Sequence, residues 1–240
     1  MALTDALGFS GLLTPSAARE TTYTTEVDED RKVRLGMFFY VLSDLILAIF
    51  FFASYIFLRG YNTNDRWVPP PMAQAIGHGP VAATAWIMLI AIVGAVAYGV
   101  GQWALYRNRY RLFTRAIVTA LALYAVDLVV QVYVILHQSY DVTAGSFASA
   151  FGVLAGYHVY HMALAVFLGL GITNRAVRGL YRKRAEVSSP DAHTAAAGGG
   201  EEPSAIPPRK ATGIASIGYY WHYAAIYSIA TWLLLLIAPP

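Results

Sequence analysis

Five long apolar segments constrain this chain more than any other feature of its sequence. They cover about residues 35–58, 81–103, 112–137, 146–172 and 218–238. A membrane-spanning helix needs roughly 20 apolar residues, because each residue advances about 1.5 Å through a hydrocarbon layer about 30 Å thick. Inside that layer only a helix or a closed barrel satisfies its own backbone hydrogen bonds. The pattern therefore predicts an all-α, polytopic membrane protein with a bundle of five transmembrane helices.

The remaining segments flank or interrupt this membrane domain, which we place at residues 35–238. Residues 1–34 form a polar N-terminal segment, and a stretch rich in Gly, Ala, Ser and Pro at about 185–215 predicts a flexible linker. Across the whole chain 57% of residues are hydrophobic and only 13% are charged. That balance departs from soluble domains in the direction of membrane proteins.

The basic residues are distributed unevenly between the two ends of the predicted bundle. Of the 17 Lys and Arg residues, all but Arg59 and Arg66 lie in the N-terminal segment, the second loop and the fourth loop. Loops rich in Lys and Arg stay on the inner side of a membrane. We therefore expect the N-terminus and the 185–215 linker inside and the C-terminus outside, as an odd number of spans requires.

Ionisable side chains inside the spans are the candidate functional residues, because a charge in hydrocarbon is costly. Their distances from the basic loops place several at similar depths, where they could form one polar layer: Asp44, Asp127, His161 and His222. Tyr40 with Asp44, and Asp127 with Gln131, form polar stripes at helical spacing and are predicted contacts between helices.

Two histidines three residues apart, His158 and His161, share one helix face. Gly152 and Gly156 precede them at a spacing that lets a second helix approach closely. The residues alone leave three interpretations of the histidines open. These are hydrogen-bonding contacts to helices or lipid headgroups, metal ligands together with a carboxylate, and a site that handles protons. Asp44 is open to the same two non-metal interpretations, a hydrogen-bonded carboxyl or a proton-linked one.

Three motifs together resemble subunit III of the haem–copper terminal oxidases. "GYHVYH" at 156–161 resembles the family's G-F-H-x-x-H motif, and "YWHY" at 220–223 resembles its Y-W-H-F motif. "LGMFFYVLSDLILAIFFFASY" at 35–55 resembles the helix that carries its L-G-x-x-x-F and S-E motifs. Gln131 and Arg175 fall where the family has a glutamine and a basic residue. Five spans resemble the short bacterial members.

The resemblance implies a non-catalytic accessory subunit of a respiratory oxidase in a bacterial inner membrane. Such a subunit supports assembly, binds phospholipids and assists proton uptake by the catalytic subunit I, and haem and copper lie in its partners. It also implies lipid-binding or proton-linked roles for six residues: Asp44, His158, His161, Arg175, Trp221 and His222. Asp44 stands where the family has a glutamate, and Ala225 where it has an aspartate.

Other functions are weighed against this one. The chain has no cysteine, which excludes thiolate metal sites and iron–sulfur clusters. Its few histidines near spans do not suffice for two haems and a copper, so we expect no metal or cofactor in this chain and no nucleic-acid partner. A subunit of a copper-dependent membrane monooxygenase and a subunit-III-like companion of nitric oxide reductase remain alternatives. A transporter is disfavoured because no inverted repeat or paired broken helices are evident.

Overall fold

The structure is a computed structural model that describes residues 15–62, 67–76, 79–181 and 208–240. Side chains are described for residues 31–62, 67–76, 81–181 and 213–240. The first 14 residues and most of the predicted linker lie outside these ranges. The described chain is helical, with no strand in these ranges, and its elements are α1 (Pro15–Gly60), α2 (Pro70–Ile76), α3 (Gly79–Tyr106), α4 (Tyr110–Leu136), α5 (Ser146–Val177) and α6 (Pro208–Ile237).

Five of these helices are long and apolar enough to cross a membrane, which confirms the predicted fold class. They extend beyond the apolar segments, because a helix continues into water wherever its residues permit. Helix α6 begins at Pro208 and so includes the last eight residues assigned to the linker. A proline is well suited to a first helical turn, where no backbone N–H donor is needed. The sequence did not predict the short helix α2.

Two left-handed residues fix the turns at one end of the bundle. Asn108, with φ of 56°, reverses the chain between α3 and α4. Gly179, with φ of 66°, follows the end of α5, and its N–H donates to the carbonyl of Ala176 at 3.0 Å. Glycine adopts this conformation without the steric cost that a Cβ brings, which explains why α5 stops there.

The described interior contains two large apolar clusters with a polar layer between them, together with a small cluster of three alanines. One cluster is built around Tyr98, Phe113, Tyr124 and Trp221, and the other around Tyr55, Trp67, Phe147, Phe151 and Leu235. Along α5 the first cluster begins at Met162 and the second ends at Ala155, so both histidines fall between them. The buried carboxyl and imidazole side chains therefore lie at one level of the bundle.

Helix α1 is the most peripheral span, and α6 is the most buried. Helix α1 packs against α6 and α5, whereas α3 packs against α4 and α6. The outward side of α1 carries exposed apolar residues along its length, including Phe38, Phe39, Ile46 and Phe50. Such a surface suits lipid or another membrane subunit rather than water.

Close packing occurs at glycines other than those singled out in the sequence. A Cβ at Gly169 would lie 2.6 Å from Trp221 Cζ2, so this glycine gives the indole its space between α5 and α6. A Cβ at Gly156 would meet no described atom within 4 Å, and one at Gly152 would meet only Val142. The spacing of Gly152 and Gly156 therefore does not mark a helix contact among the described residues of this chain.

Candidate functional site

A very short polar contact joins Asp44 of α1 to His161 of α5. Asp44 Oδ2 lies 2.5 Å from His161 Nε2, and Asp44 Oδ1 accepts a hydrogen bond from the Tyr157 hydroxyl. The same hydroxyl lies 3.0 Å from the Asp44 backbone carbonyl. Both carboxylate oxygens are thus occupied, as a buried carboxyl requires.

The second nitrogen of His161 fixes how protons are arranged in this pair. His161 Nδ1 lies 2.7 Å from the backbone carbonyl of Tyr157, and a carbonyl only accepts, so Nδ1 carries a hydrogen. The contact between Nε2 and Asp44 Oδ2 then holds one further proton. When that proton is on Asp44, the pair consists of a neutral carboxylic acid and a neutral imidazole. When it is on His161 Nε2, the pair consists of a carboxylate and an imidazolium, and the net charge is zero in both forms. The pair can therefore exist in the membrane interior without a net charge.

Tyrosine rings enclose the buried imidazole of His161. The rings of Tyr157, Tyr227 and Tyr223 lie 4.3, 5.0 and 5.4 Å from it between centroids. Tyr160 and Tyr220 complete the enclosure at 5.6 and 6.0 Å.

Two further tyrosine hydroxyl groups pair with each other near this site, at the exposed surface of α1. Tyr40 precedes Asp44 by one helical turn, and its hydroxyl lies 2.6 Å from that of Tyr160. Both tyrosines are exposed on the membrane-facing side of the bundle. Tyr40, which the sequence predicts to contact another helix, thus contacts α5 beside the Asp44–His161 pair.

The second histidine of α5, His158, faces a different carboxyl. His158 Nε2 lies 3.4 Å from Asp127 Oδ2 of α4, and His158 Nδ1 lies 3.2 Å from the Ser228 hydroxyl of α6. The distance between His158 and Asp127 allows an ion pair, but the relative orientation of the imidazole and the carboxylate is not that of a hydrogen bond. Neither oxygen of Asp127 has a hydrogen-bond partner among the described residues, although the side chain is fully buried.

A small cavity adjoins this second pair. It has a volume of about 20 Å³ and is lined in part by Thr84, Gln131, His158, Ser228 and Thr231. One water molecule fits a space of this size, and the lining supplies several polar partners for it. Gln131, one turn beyond Asp127, is buried and lines this cavity together with His158, and its role as a polar contact between helices stays a prediction.

The geometry of a helix explains why neighbouring histidines serve two separate carboxyls. Three residues rotate about 300° around an α-helix, so the two side chains diverge by about 60°. His161 points to α1, and His158 points between α4 and α6. Among the described side chains, no three His, Asp, Glu or Cys residues come together as potential metal ligands. This arrangement offers a hydrogen-bonded carboxyl–histidine pair at one point and a longer carboxyl–histidine contact at the other.

The structure places the other predicted site residues elsewhere. Trp221 is fully buried in the apolar core, where its ring stacks on Tyr124 at 4.2 Å, rather than at a lipid-facing interface. Tyr124 also donates a hydrogen bond of 2.7 Å to the Trp221 carbonyl, so α4 and α6 are joined here. Trp221 is buried because successive residues of a helix point in different directions, so only some of the aromatic residues at 220–223 can face lipid.

His222 and Arg175 also lie apart from the two pairs. His222 is half-buried, with its ring edge-on to Tyr98 at 6.3 Å, and so does not join the polar layer. Arg175 is exposed near the end of α5, where it interacts with the Tyr181 side chain. The polar layer therefore contains four of the five intramembrane candidates: Asp44, Asp127, His158 and His161.

Tyr157 and Ser228 are the functional residues that sequence reasoning missed. Tyr157 completes the shell of Asp44, and Ser228 is a hydrogen-bonding neighbour of His158. The helical spacing of Tyr157 and His161, four residues apart, could have indicated that they share a face. Nothing local to Ser228 indicates its partner, because that contact joins two helices 70 positions apart in the chain.

The fold and these buried pairs define a multi-pass helical membrane protein with carboxyl–histidine contacts at one level of its bundle. No protein-family model matches the chain. It is similar to the protein of Thermostichus vulcanus described as cytochrome c oxidase subunit 3, with 26% identity over 203 residues. The matched region covers 85% of this chain and 86% of that relative. This similarity supports the resemblance to oxidase subunit III drawn from the motifs.

Proposed function

We propose that the chain is a non-catalytic subunit III of a bacterial respiratory haem–copper oxidase. In this role it lies in the inner membrane beside the redox subunit, which holds the haem and copper, and supports assembly, lipid binding and proton uptake. Two of the three motifs that carry the resemblance supply the Asp44–His161 pair, and this observation carries the proposal. The similarity over 85% of the chain supports it further.

The proton-linked part of the proposal rests on the chemistry of the Asp44–His161 pair. The pair holds one proton between Asp44 Oδ2 and His161 Nε2, and the hydroxyl groups of Tyr40 and Tyr160 lie toward the exposed side of α1. Such a group can accept or release a proton when its surroundings change. In the proposed role it tunes proton supply or lipid seating and takes no part in electron transfer.

Co-purification tests the subunit assignment directly. The chain, tagged at one terminus and extracted in mild detergent from its own membranes, is expected to bring down a redox subunit. The haem absorbance spectrum and the copper content of the eluate identify that subunit. An eluate that contains the chain with no haem protein, while an untagged oxidase is present in the same membranes, contradicts the proposal.

Substitution of Asp44 tests the proton-linked role. In the complex carrying Asp44→Asn, we expect normal haem content but fewer turnovers before the oxidase inactivates, because the amide keeps the hydrogen bonds and loses titration. Asp127→Asn is the matched control, since it neutralises a buried carboxyl away from α1. Abolition of the first turnovers by Asp44→Asn, with assembly intact, would place Asp44 in the catalytic path instead.

A further inference from the structure

A basic cavity lies where the loop between α3 and α4 meets the end of α5. Its volume is about 720 Å³, which falls in the range of pockets that hold small-molecule ligands. Three arginines line it, Arg109, Arg111 and Arg115, and its lining contains no carboxylate. We name this cavity the arginine pocket. It is separate from the two carboxyl–histidine pairs, which lie in the middle of the bundle.

The arginines of the pocket are available to a ligand. All three are exposed, and no ion pair joins any of them to a carboxylate in the part of the chain with described side chains. Arg109 stacks on the Trp103 ring at 5.2 Å, which orients its guanidinium without neutralising it. Three unpaired guanidinium groups around one cavity create a strongly positive potential.

The start of α4 adds to the positive character of the pocket. Arg109 is the N-cap residue, and its side chain makes no hydrogen bond to the free N–H groups of the first turn. Those groups and the helix dipole favour a negative charge at this position. The helix start thus acts together with the arginines that line the same cavity.

Apolar and neutral polar groups make up the rest of the pocket. Phe113 and Ala176 are buried beneath it, while Leu112 and Val177 are exposed apolar residues of its lining. Burial raises the pKa of the Tyr181 hydroxyl, and the nearby Arg175 opposes that shift. Tyr181 therefore remains a neutral hydrogen-bond donor at the edge of the cavity, and its ring packs edge-on to Phe113 at 5.2 Å.

We propose that the arginine pocket binds the phosphodiester headgroup of an anionic phospholipid. Arginine forks match phosphate oxygens, and basic pockets between membrane helices accept such headgroups. The pocket lies next to the ends of three spans, α3, α4 and α5, at the level where a headgroup meets the hydrocarbon, and Leu112 and Val177 suit the upper part of an acyl chain. A soluble phosphate would make no use of these apolar residues.

This inference extends the lipid-binding part of the proposed function, yet its test requires no oxidase. The full-length chain is reconstituted into phosphatidylcholine nanodiscs that contain a spin-labelled lipid. The fraction of that lipid whose motion is restricted is then measured for spin-labelled phosphatidylglycerol and for spin-labelled phosphatidylcholine. Failure of the chain to co-purify with a redox subunit and failure of this lipid preference are therefore separate results.

The test variant is R109Q/R111Q/R115Q, and the matched control R31Q/K32Q/R34Q removes the same charge near the membrane end of α1. Each arginine at a headgroup strengthens binding roughly fivefold, so the test variant should lose on the order of a hundredfold in preference for phosphatidylglycerol. The control should retain the preference. R109K/R111K/R115K keeps the charge and the fold, and should recover most of the binding.

Three results would overturn the proposal. The first is an unmodified chain without preference for the anionic lipid. The second is an equal loss of preference for phosphatidylglycerol in the test variant and the control, which would mean that net charge alone causes the effect. The third is binding of inorganic phosphate with the same dependence on the three arginines and displacement of the lipid by it, which would identify a free-phosphate site. If the glutamine variant does not fold, R111Q alone replaces it and should lose roughly fivefold.

Discussion

The two carboxyl–histidine pairs share helix α5 and one level of the bundle, yet they are built differently. The Asp44–His161 pair is short, has both carboxylate oxygens occupied and is enclosed by tyrosine rings. The Asp127–His158 pair is longer at 3.4 Å and leaves the Asp127 oxygens without hydrogen-bond partners among the described residues. A small cavity lies beside the second pair.

This difference indicates which of the two pairs contributes more to the free energy of unfolding. A buried ion pair stabilises a fold only when its geometry is good and its remaining lone pairs are satisfied. The first pair meets that condition, and the second meets it in part, with room for a water molecule at its edge. We therefore expect the fold to depend strongly on Asp44 and weakly on Asp127, although Asp127 is the more deeply buried of the two.

The largest expected effect follows from Asp44→Ala. The substitution leaves His161 Nε2 without a partner in a buried site and leaves the Tyr157 hydroxyl only the backbone carbonyl of residue 44, so the free energy of unfolding should fall by about 3–5 kcal/mol. Reversible unfolding in mixed detergent micelles, followed by circular dichroism, measures this change.

Asp44→Asn serves as the control for that substitution. Its amide can accept from the Tyr157 hydroxyl and donate to His161 Nε2, so most of the stability should return. A loss for Asp44→Asn as large as for Asp44→Ala would mean that the charge, and not the hydrogen bonding, supplies the stability of the pair.

A smaller effect is expected from Tyr157→Phe. Phenylalanine keeps the ring contacts with His161 and Tyr227 but removes the donor to Asp44, which should cost about 1.5–3 kcal/mol for a hydrogen bond to a charged group. Thermal unfolding in detergent compares it with Tyr160→Phe, whose hydroxyl pairs with Tyr40 at an exposed position and should matter less. Equal losses in the two variants would contradict the special role of Tyr157.

Asp127→Ala should change the free energy of unfolding by only about 1 kcal/mol. Its carboxylate has no hydrogen-bond donor among the described residues, so removal relieves a desolvation cost that offsets the lost ion pair and the small cavity created. His158 retains its contact with Ser228. The same micelle unfolding assay used for Asp44→Ala provides the comparison, and a loss of equal size at the two sites would remove the distinction between the pairs.

The smallest effect concerns Asp141, an exposed carboxyl that serves as a reference for the buried ones. The Thr143 backbone N–H and hydroxyl both donate to its Oδ1 at 2.8 Å and lower its pKa. Since the folded pKa is depressed, the associated stability is present above the ordinary Asp value and is lost as pH falls through the folded pKa.

Thr143→Ala keeps the backbone donor and removes the hydroxyl, so the pKa of Asp141 should rise part of the way to its ordinary value. A carbon-detected NMR titration of the Asp141 carboxyl in detergent measures the shift. An unchanged pKa in Thr143→Ala would assign the whole effect to the backbone N–H.

The sequence by itself determined the number and the approximate bounds of the spans, because hydrocarbon thickness and backbone hydrogen bonding leave few alternatives to a long apolar helix. It also identified the intramembrane ionisable residues, since charge in an apolar run is costly wherever that run folds. The charge asymmetry of the loops predicts which ends lie inside, and that remains a prediction.

Only the tertiary structure decided which of these residues meet. The angular position around α5 directs His161 to α1 and His158 to α4 and α6. Moving either histidine by one position along the helix would turn its side chain toward different neighbours. The same packing buries Trp221, turns His222 to Tyr98 and brings Ser228 to His158. Periodicity gives the face of a helix, but the partner of that face depends on how helices distant in the chain pack together, and no local pattern encodes it.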